Sequence, residues 1–129
     1  QQLLVIRQLA KDLNIPVDIV GAPIVREEDG LAMSSRNRYL SEKERIVAPE
    51  IYRILKIVAE RIIIKPNDCE LICRLAREEL LDKGFEAVDY ITICHAETLE
   101  PLSAYSSPAR IFVAARLGQA RLIDNLSIS

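Results

Sequence analysis

The sequence predicts an α+β fold: two or three helices packed on a small antiparallel sheet, preceded by the closing helix and strand of a βαβ unit. Three observations lead there. Apolar residues recur at helical spacing from residue 42 to residue 82, the pattern changes to alternation between residues 88 and 126, and a separate helix-then-strand pair occupies residues 3–20. Composition agrees with this reading, since 129 residues that are 50% hydrophobic and only 5% aromatic can bury a core of Ile, Leu, Val and Ala. A net charge of −2 supplies no general field favouring nucleic acid. Positive charge that serves an anion must therefore be local.

The first helix carries Leu3, Ile6, Leu9 or Ala10, and Leu13 on one face. It should end near Asp12-Leu13-Asn14, where Asn tolerates the left-handed conformation and Pro16 forbids continuation. Val17-Asp18-Ile19-Val20 then reads as a short strand. In open α/β sheets ligands bind beyond the carboxyl ends of the strands, and the most unusual stretch of the chain begins right there. Because the chain starts inside a helix, with neither Met nor a cap, it is expected to be a portion of a longer protein.

Further along, Ser41-Glu42-Lys43-Glu44 is a capping box that opens a helix, and Pro49 should interrupt it with a kink or a restart. Ile51, Ile54, Leu55, Val58 and Ile62 form the core stripe of that helix, which Pro66 closes. Asn67-Asp68-Cys69-Glu70 opens the next one, with Leu71, Ile72, Leu75, Ala76 and Leu80 as its stripe, an exposed Arg74–Glu78 pair, and Gly84 as its stop. Val88–Cys94, Arg110–Leu117 and Arg121–Leu126 read as three strands, the last two joined in a hairpin about Gly118-Gln119. The α+β unit thus runs over residues 39–129, and residues 1–38 form the tail of what precedes it.

No apolar run reaches the roughly 18 residues of a membrane span, and no secretory signal is visible. The three cysteines contain no Cys-x-x-Cys and accompany one histidine, which supports neither a disulfide framework nor a metal site. A reducing cytoplasm fits, with neither nucleic acid nor membrane as a partner. His95 has no nucleophile or second ligand beside it in sequence and reads as structural; Cys94 reads as a small buried hydrophobe, and Asp124 and Asn125 as the cap of a strand end or a turn.

The unusual stretch is residues 25–41, Val-Arg-Glu-Glu-Asp-Gly-Leu-Ala-Met-Ser-Ser-Arg-Asn-Arg-Tyr-Leu-Ser, which no repeating apolar pattern explains. Ser34 and Ser35 offer hydroxyl donors, and Arg36 and Arg38 offer forked cationic donors that match phosphate oxygens. Taken on chemistry alone, a solvated surface loop leading into the helix at Ser41 is the more economical reading. The same seventeen positions, however, closely resemble the signature loop of the pantothenate synthetase (pantoate–β-alanine ligase) family, in which Met-Ser-Ser-Arg is the counterpart of the Lys-Met-Ser-Lys-Ser loop of adenylate-forming nucleotidyltransferases. The resemblance continues through Gln1-Gln2-Leu3, Gly84-Phe85, Val88-Asp89-Tyr90, Ala114-Ala115-Arg116-Leu117-Gly118 and Arg121-Leu122-Ile123-Asp124-Asn125, and so covers essentially the whole chain.

What the resemblance implies is an ATP-dependent ligase that joins pantoate to β-alanine through a pantoyl adenylate, with Mg²⁺ accompanying the triphosphate. Residues 1–38 would then be the tail of a Rossmann-like nucleotide-binding domain and residues 39–129 a C-terminal lid. Val25 would meet adenine through its backbone, Met33, Ser34, Ser35 and Arg36 would hold the triphosphate, and Gln2 would bond pantoate; Arg36 is the one residue given a catalytic role, as a stabiliser of developing charge. The family also implies a homodimer formed by the full-length protein. Two departures stand out: Ala22-Pro23-Ile24-Val25 replaces the usual Val-Pro-Thr-Val, and neither the family's His-x-Gly-His motif nor its Lys-Asp pair before the first Gln is found in these residues. The chain alone is therefore expected to be inactive. A non-catalytic lid or interaction module, or a relative that adenylates another carboxylate, remain as alternatives.

Overall fold

A computed structural model describes residues 1–129. Helix α1, Gln2–Asp12, ends as its sequence requires, with Asn14 in the left-handed region at φ 51°. A short 3-10 helix, Ser35–Tyr39, leads to α2, Glu42–Val47, α3, Glu50–Ile64, and α4, Cys69–Asp82. Strands β1, Ala87–His95, β2, Ala109–Leu117, and β3, Ala120–Ile128, form an antiparallel sheet in the order β1-β2-β3.

Local chemistry explains the boundaries. Ser41 accepts from the Glu44 N–H at 3.2 Å while the Glu44 carboxylate accepts from the Ser41 N–H at 3.1 Å, completing the capping box of α2. Pro49 breaks the helical path between α2 and α3 and serves as the N-cap of α3. The β2–β3 hairpin turns at Gly118, whose φ is 59° and whose missing Cβ leaves room for the Glu44 carboxylate.

The core is one cluster of 23 buried residues between the helices and one face of the sheet. Ile51, Ile54, Leu55, Val58 and Ile62 are all buried, as their spacing predicts. Each fully buried aliphatic side chain of this kind contributes about 1.5–3 kcal/mol of transfer free energy. On α4 the buried stripe is Cys69, Ile72, Ala76 and Leu80, whereas Leu71 and Leu75, expected inside, are 42% and 43% exposed. Cys69 takes the core position one turn before Ile72 and Cys73, so the stripe is rotated away from the two leucines.

Three other expectations fail for identifiable reasons. Residues 17–20 form no strand: the sheet contains only β1, β2 and β3, and a strand needs a hydrogen-bonding neighbour that these residues lack here. Arg74 and Glu78 do not pair; the ion pairs of this region join Arg53 to Glu50 and, at 2.7 Å, to Glu79, which ties α3 to α4. Asp124 caps nothing, because it lies within β3, opposite Val113, on the face that also carries Leu122 and Leu126.

A register shift between Val88 and Tyr90 bulges β1 at Asp89. Arg116 and Arg121, which are cross-strand partners on β2 and β3, both donate to the Asp89 carboxylate, at 3.3 and 2.7 Å. Arg77 of α4 donates to the Val88 carbonyl at the same bulge. No helix is long and apolar enough to cross a membrane.

Candidate functional site

Residues 25–33 fold back on themselves as a tight hairpin. Glu27 N–H donates to the Leu31 carbonyl at 2.8 Å, Met33 N–H to the Val25 carbonyl at 2.9 Å, and Gly30 N–H to the Glu27 carbonyl at 2.9 Å. Gly30 has φ 95°, and a Cβ there would overlap the Tyr52 ring, so only glycine suits both the turn and the close approach to α3.

Four contacts fasten this hairpin to the α+β body. Leu31 is buried in the common core. The Asp29 carboxylate accepts from Arg45 of α2 at 2.7 Å and from the Leu31 N–H at 3.3 Å; the hydrogen bond from Arg45, above all, holds it below the usual carboxylate range. The Arg26 guanidinium stacks 3.8 Å from the centroid of the Tyr52 ring. It also donates to Asp124 through both forks, at 2.6 and 2.9 Å, and to the Gly30 carbonyl at 3.0 Å. The Asp124 side chain is wholly buried, and Arg26 supplies its neutralising charge.

From this anchored hairpin the chain turns outward. Ser34 is extended and its Oγ accepts from the Arg36 N–H at 3.2 Å, starting the 3-10 helix. Asn37 Nδ2 reaches back to the Ala32 carbonyl at 3.1 Å, which closes the turn. Met33, Ser34 and Arg36 line one small cavity of about 150 Å³ together with Asn37 and Arg121. Arg38 instead lies against Tyr39, its guanidinium 5.3 Å from the ring centroid. Arg36 forms no ion pair, so its charge is directed to solvent and to this cavity.

The predicted site residues thus divide into two groups. Val25 and Met33 are tied across the hairpin, and Met33, Ser34 and Arg36 share a cavity, with Ser35 exposed beside them at the start of the 3-10 helix. Gln2 stands apart, exposed on the first turn of α1. Its neighbour Gln1 lines a different and larger groove of about 750 Å³, between α1 and the sheet, with Arg7, Arg26, Arg110 and Asn125.

The sequence reading assigns no site role to Arg26, Tyr52 or Arg121, and it places Asp124 only as a cap. One signal was available for Asp124: a carboxylate at a core position in the alternation Ala120, Leu122, Asp124, Leu126 requires a buried partner. His95 organises a turn, its Nδ1 accepting from the Glu97 and Thr98 N–H groups at 3.3 and 3.4 Å. Burial pushes the Cys73 thiol up to about 11 and raises those of Cys69 and Cys94, which makes all three poor nucleophiles. No group of three or more His, Cys, Asp or Glu side chains is arranged to hold a metal ion.

The family model described as Pantoate-beta-alanine ligase matches residues 1–127. The chain belongs to the pantoate-beta-alanine ligase family. Among the relatives in this family, the pantothenate synthetase of Dinoroseobacter shibae is 50% identical over 129 residues, covering 99% of this chain and 46% of that protein. The pantothenate synthetase of Marinobacter nauticus is 49% identical over 129 residues, covering 100% of this chain and 45% of that protein. The crystal structure of pantothenate synthetase from Thermus thermophilus superposes with a TM-score of 0.86 at 47% identity, over 98% of this chain and 46% of that one. The Francisella tularensis pantoate-beta-alanine ligase, solved in complex with beta-gamma ATP and beta-alanine, superposes with a TM-score of 0.68 at 28% identity, over 98% of this chain and 39% of that one. The chain therefore spans about half the length of the ligase-family proteins it matches.

Proposed function

We propose that the full-length protein is a pantoate–β-alanine ligase in which residues 33–36 hold the triphosphate of ATP. The observation that carries this reading is the anchored hairpin, which presents Met33, Ser34 and Arg36 to one cavity while leaving Arg36 free of any ion pair. Residues 1–38 would contribute to the nucleotide side of the cleft and residues 39–129 would cover it. Gln2 would bond pantoate from α1, and the Val25 backbone would face the adenine.

In the first step a pantoate carboxylate oxygen forms a bond to the α-phosphorus of ATP as the bond from that phosphorus to the bridging oxygen breaks, releasing pyrophosphate. In the second, the β-alanine amine attacks the acyl carbon, the bond to the phosphate oxygen breaks and AMP leaves, with loss of one proton from nitrogen. The first displacement asks little covalent chemistry of the protein but needs donors at the departing pyrophosphate, where charge accumulates. Arg36 with its planar fork, aided by the Ser34 and Ser35 hydroxyls, suits that task. Mg²⁺, which favours substrate phosphates and water over a protein cage, would accompany the triphosphate and help neutralise the charge that develops there. A homodimer in the cytoplasm belongs to the same reading.

The test is β-alanine-dependent AMP release and the rate of adenylate formation at saturating ATP in the full-length enzyme. Arg36→Ala should lower adenylation by about 10²–10³, the usual loss for one donor aimed at developing charge. Arg36→Lys should lower it less, and Arg38→Ala least of all. A loss of only a few-fold in Arg36→Ala, or a greater loss in Arg38→Ala, would overturn the assignment of the loop, and AMP release that depends on a different amine would overturn the substrate.

A further inference from the structure

The anchoring of the hairpin asks for an explanation beyond stability. Leu31 already secures the loop to the core by burial, and burial is indifferent to direction. The Arg26–Asp124 pair is different. Asp124 is buried within β3, both of its oxygens are engaged by the two forks of Arg26, and the same guanidinium binds the Gly30 carbonyl and stacks on Tyr52. Those contacts come from three directions, from strand, turn and helix, and together fix the rotation of the hairpin as well as its position. A buried ion pair of this kind is often no more stabilising than apolar residues of the same volume, so directional constraint is what it adds.

The hairpin leads without interruption into the turn that carries Ser34 and Arg36. Met33 N–H is bonded to the Val25 carbonyl immediately before Arg26, and Asn37 is bonded to the Ala32 carbonyl opposite it. A rotation at Arg26 is thereby passed directly to the donors of the turn. A misplacement of about 1 Å among positioning groups can cost about 10²-fold in rate.

We propose that Arg26 and Asp124 are positioning residues for adenylate formation: they bind the turn bearing Ser34–Arg36 to β3 so that the turn and the α+β body move as one piece and present the Arg36 fork to the phosphates in one orientation. This inference rests on the triphosphate reading of residues 33–36, and it gives Arg26 and Asp124 a role exerted through the orientation of Arg36.

The decisive variant is Arg26→Met/Asp124→Leu in the full-length enzyme, which removes the directional pair without stranding a buried charge. Thermal melting, single-turnover adenylate formation and aminolysis of a supplied acyl adenylate by β-alanine are measured side by side, alone and with Arg36→Ala added. The variant is expected to melt within a few degrees of wild type, to form adenylate about 10- to 100-fold more slowly, and to catalyse aminolysis within twofold of wild type. Adding Arg36→Ala should then cost much less than it does in the wild-type background, since the fork is already misdirected. Equal losses in both half-reactions, full additivity with Arg36→Ala, or adenylation within twofold of wild type would each overturn the proposal. If the double variant fails to fold, Arg26→Lys, which keeps the charge and loses the fork, is held to the same pattern at about a tenfold loss. A neutral Arg36→Ala would instead overturn the triphosphate reading itself, while a costly Arg36→Ala beside a neutral Arg26→Met/Asp124→Leu would overturn the positioning role alone.

Discussion

Leu31 separates two ways of dividing this chain. It lies in the hairpin, well before residue 39, yet it is only 2% exposed and belongs to the same core as Ile51 and Leu122. Truncating a buried Leu to Ala costs about 2–5 kcal/mol, the value depending on how well the site collapses. Here Leu31, Ile51 and Leu122 also line the cavity beside Arg36, so the space left behind opens toward solvent and partial hydration should keep the loss near the lower end, about 2–3 kcal/mol. For a chain of this size that corresponds to roughly 6–15 °C in melting temperature. Circular dichroism melts of the 129-residue chain with Leu31→Ala and with Val25→Ala would measure it; Val25 is 65% exposed, and its truncation should change stability by no more than about 0.5 kcal/mol. If Leu31→Ala melts within a degree or two of wild type, the hairpin is not part of the folding unit and is not carried by the α+β body.

Gly30→Ala combines a left-handed backbone with a collision against Tyr52, so a loss of about 2 kcal/mol or more in urea unfolding is expected, and a neutral result would mean that the turn relaxes freely. In acid, the Asp29 and Asp89 carboxylates, held below their ordinary value of 3.8 chiefly by hydrogen bonds from Arg45 and Arg121, should become destabilising losses. Because the unfolded chain takes up these protons first, the stability they contribute is present above pH 3.8 and disappears as pH falls through the depressed folded values. Urea midpoints between about pH 6 and pH 2.5 should therefore fall less steeply in Asp29→Asn/Asp89→Asn than in wild type, and an identical slope would show that neither ion pair contributes.

Periodicity carried the secondary structure of residues 41–128 almost completely, because each of these segments satisfies its own backbone locally or against its sequence neighbour. The capping box at Ser41, the interruption at Pro49, the α3 stripe and the Gly118 hairpin all depend on residues close together in the chain. Residues 17–20 show the limit of that logic: their composition favours a strand, but a strand exists only where another strand offers hydrogen bonds, and none does here. Leu71 and Leu75 show another, since Leu and Cys compete for one face of α4 and only packing against β1 decides which is inside.

The donors at Ser34, Ser35 and Arg36, which we propose hold phosphate, stand in consecutive positions, so their grouping could be read from the chain and from its resemblance to a family loop. What holds them in place could not. Arg26 meets Asp124 across 98 positions of sequence, and Gly30 owes its identity to the Tyr52 ring as much as to its own turn. An isolated charge in an alternating strand reads as a cap or a surface residue until a partner arrives from elsewhere. Only the packing of the hairpin against α3 and β3 turns that buried carboxylate into an anchor, because desolvation makes its charge costly and the Arg26 fork, arriving from the far end of the chain, offsets that cost in a single geometry.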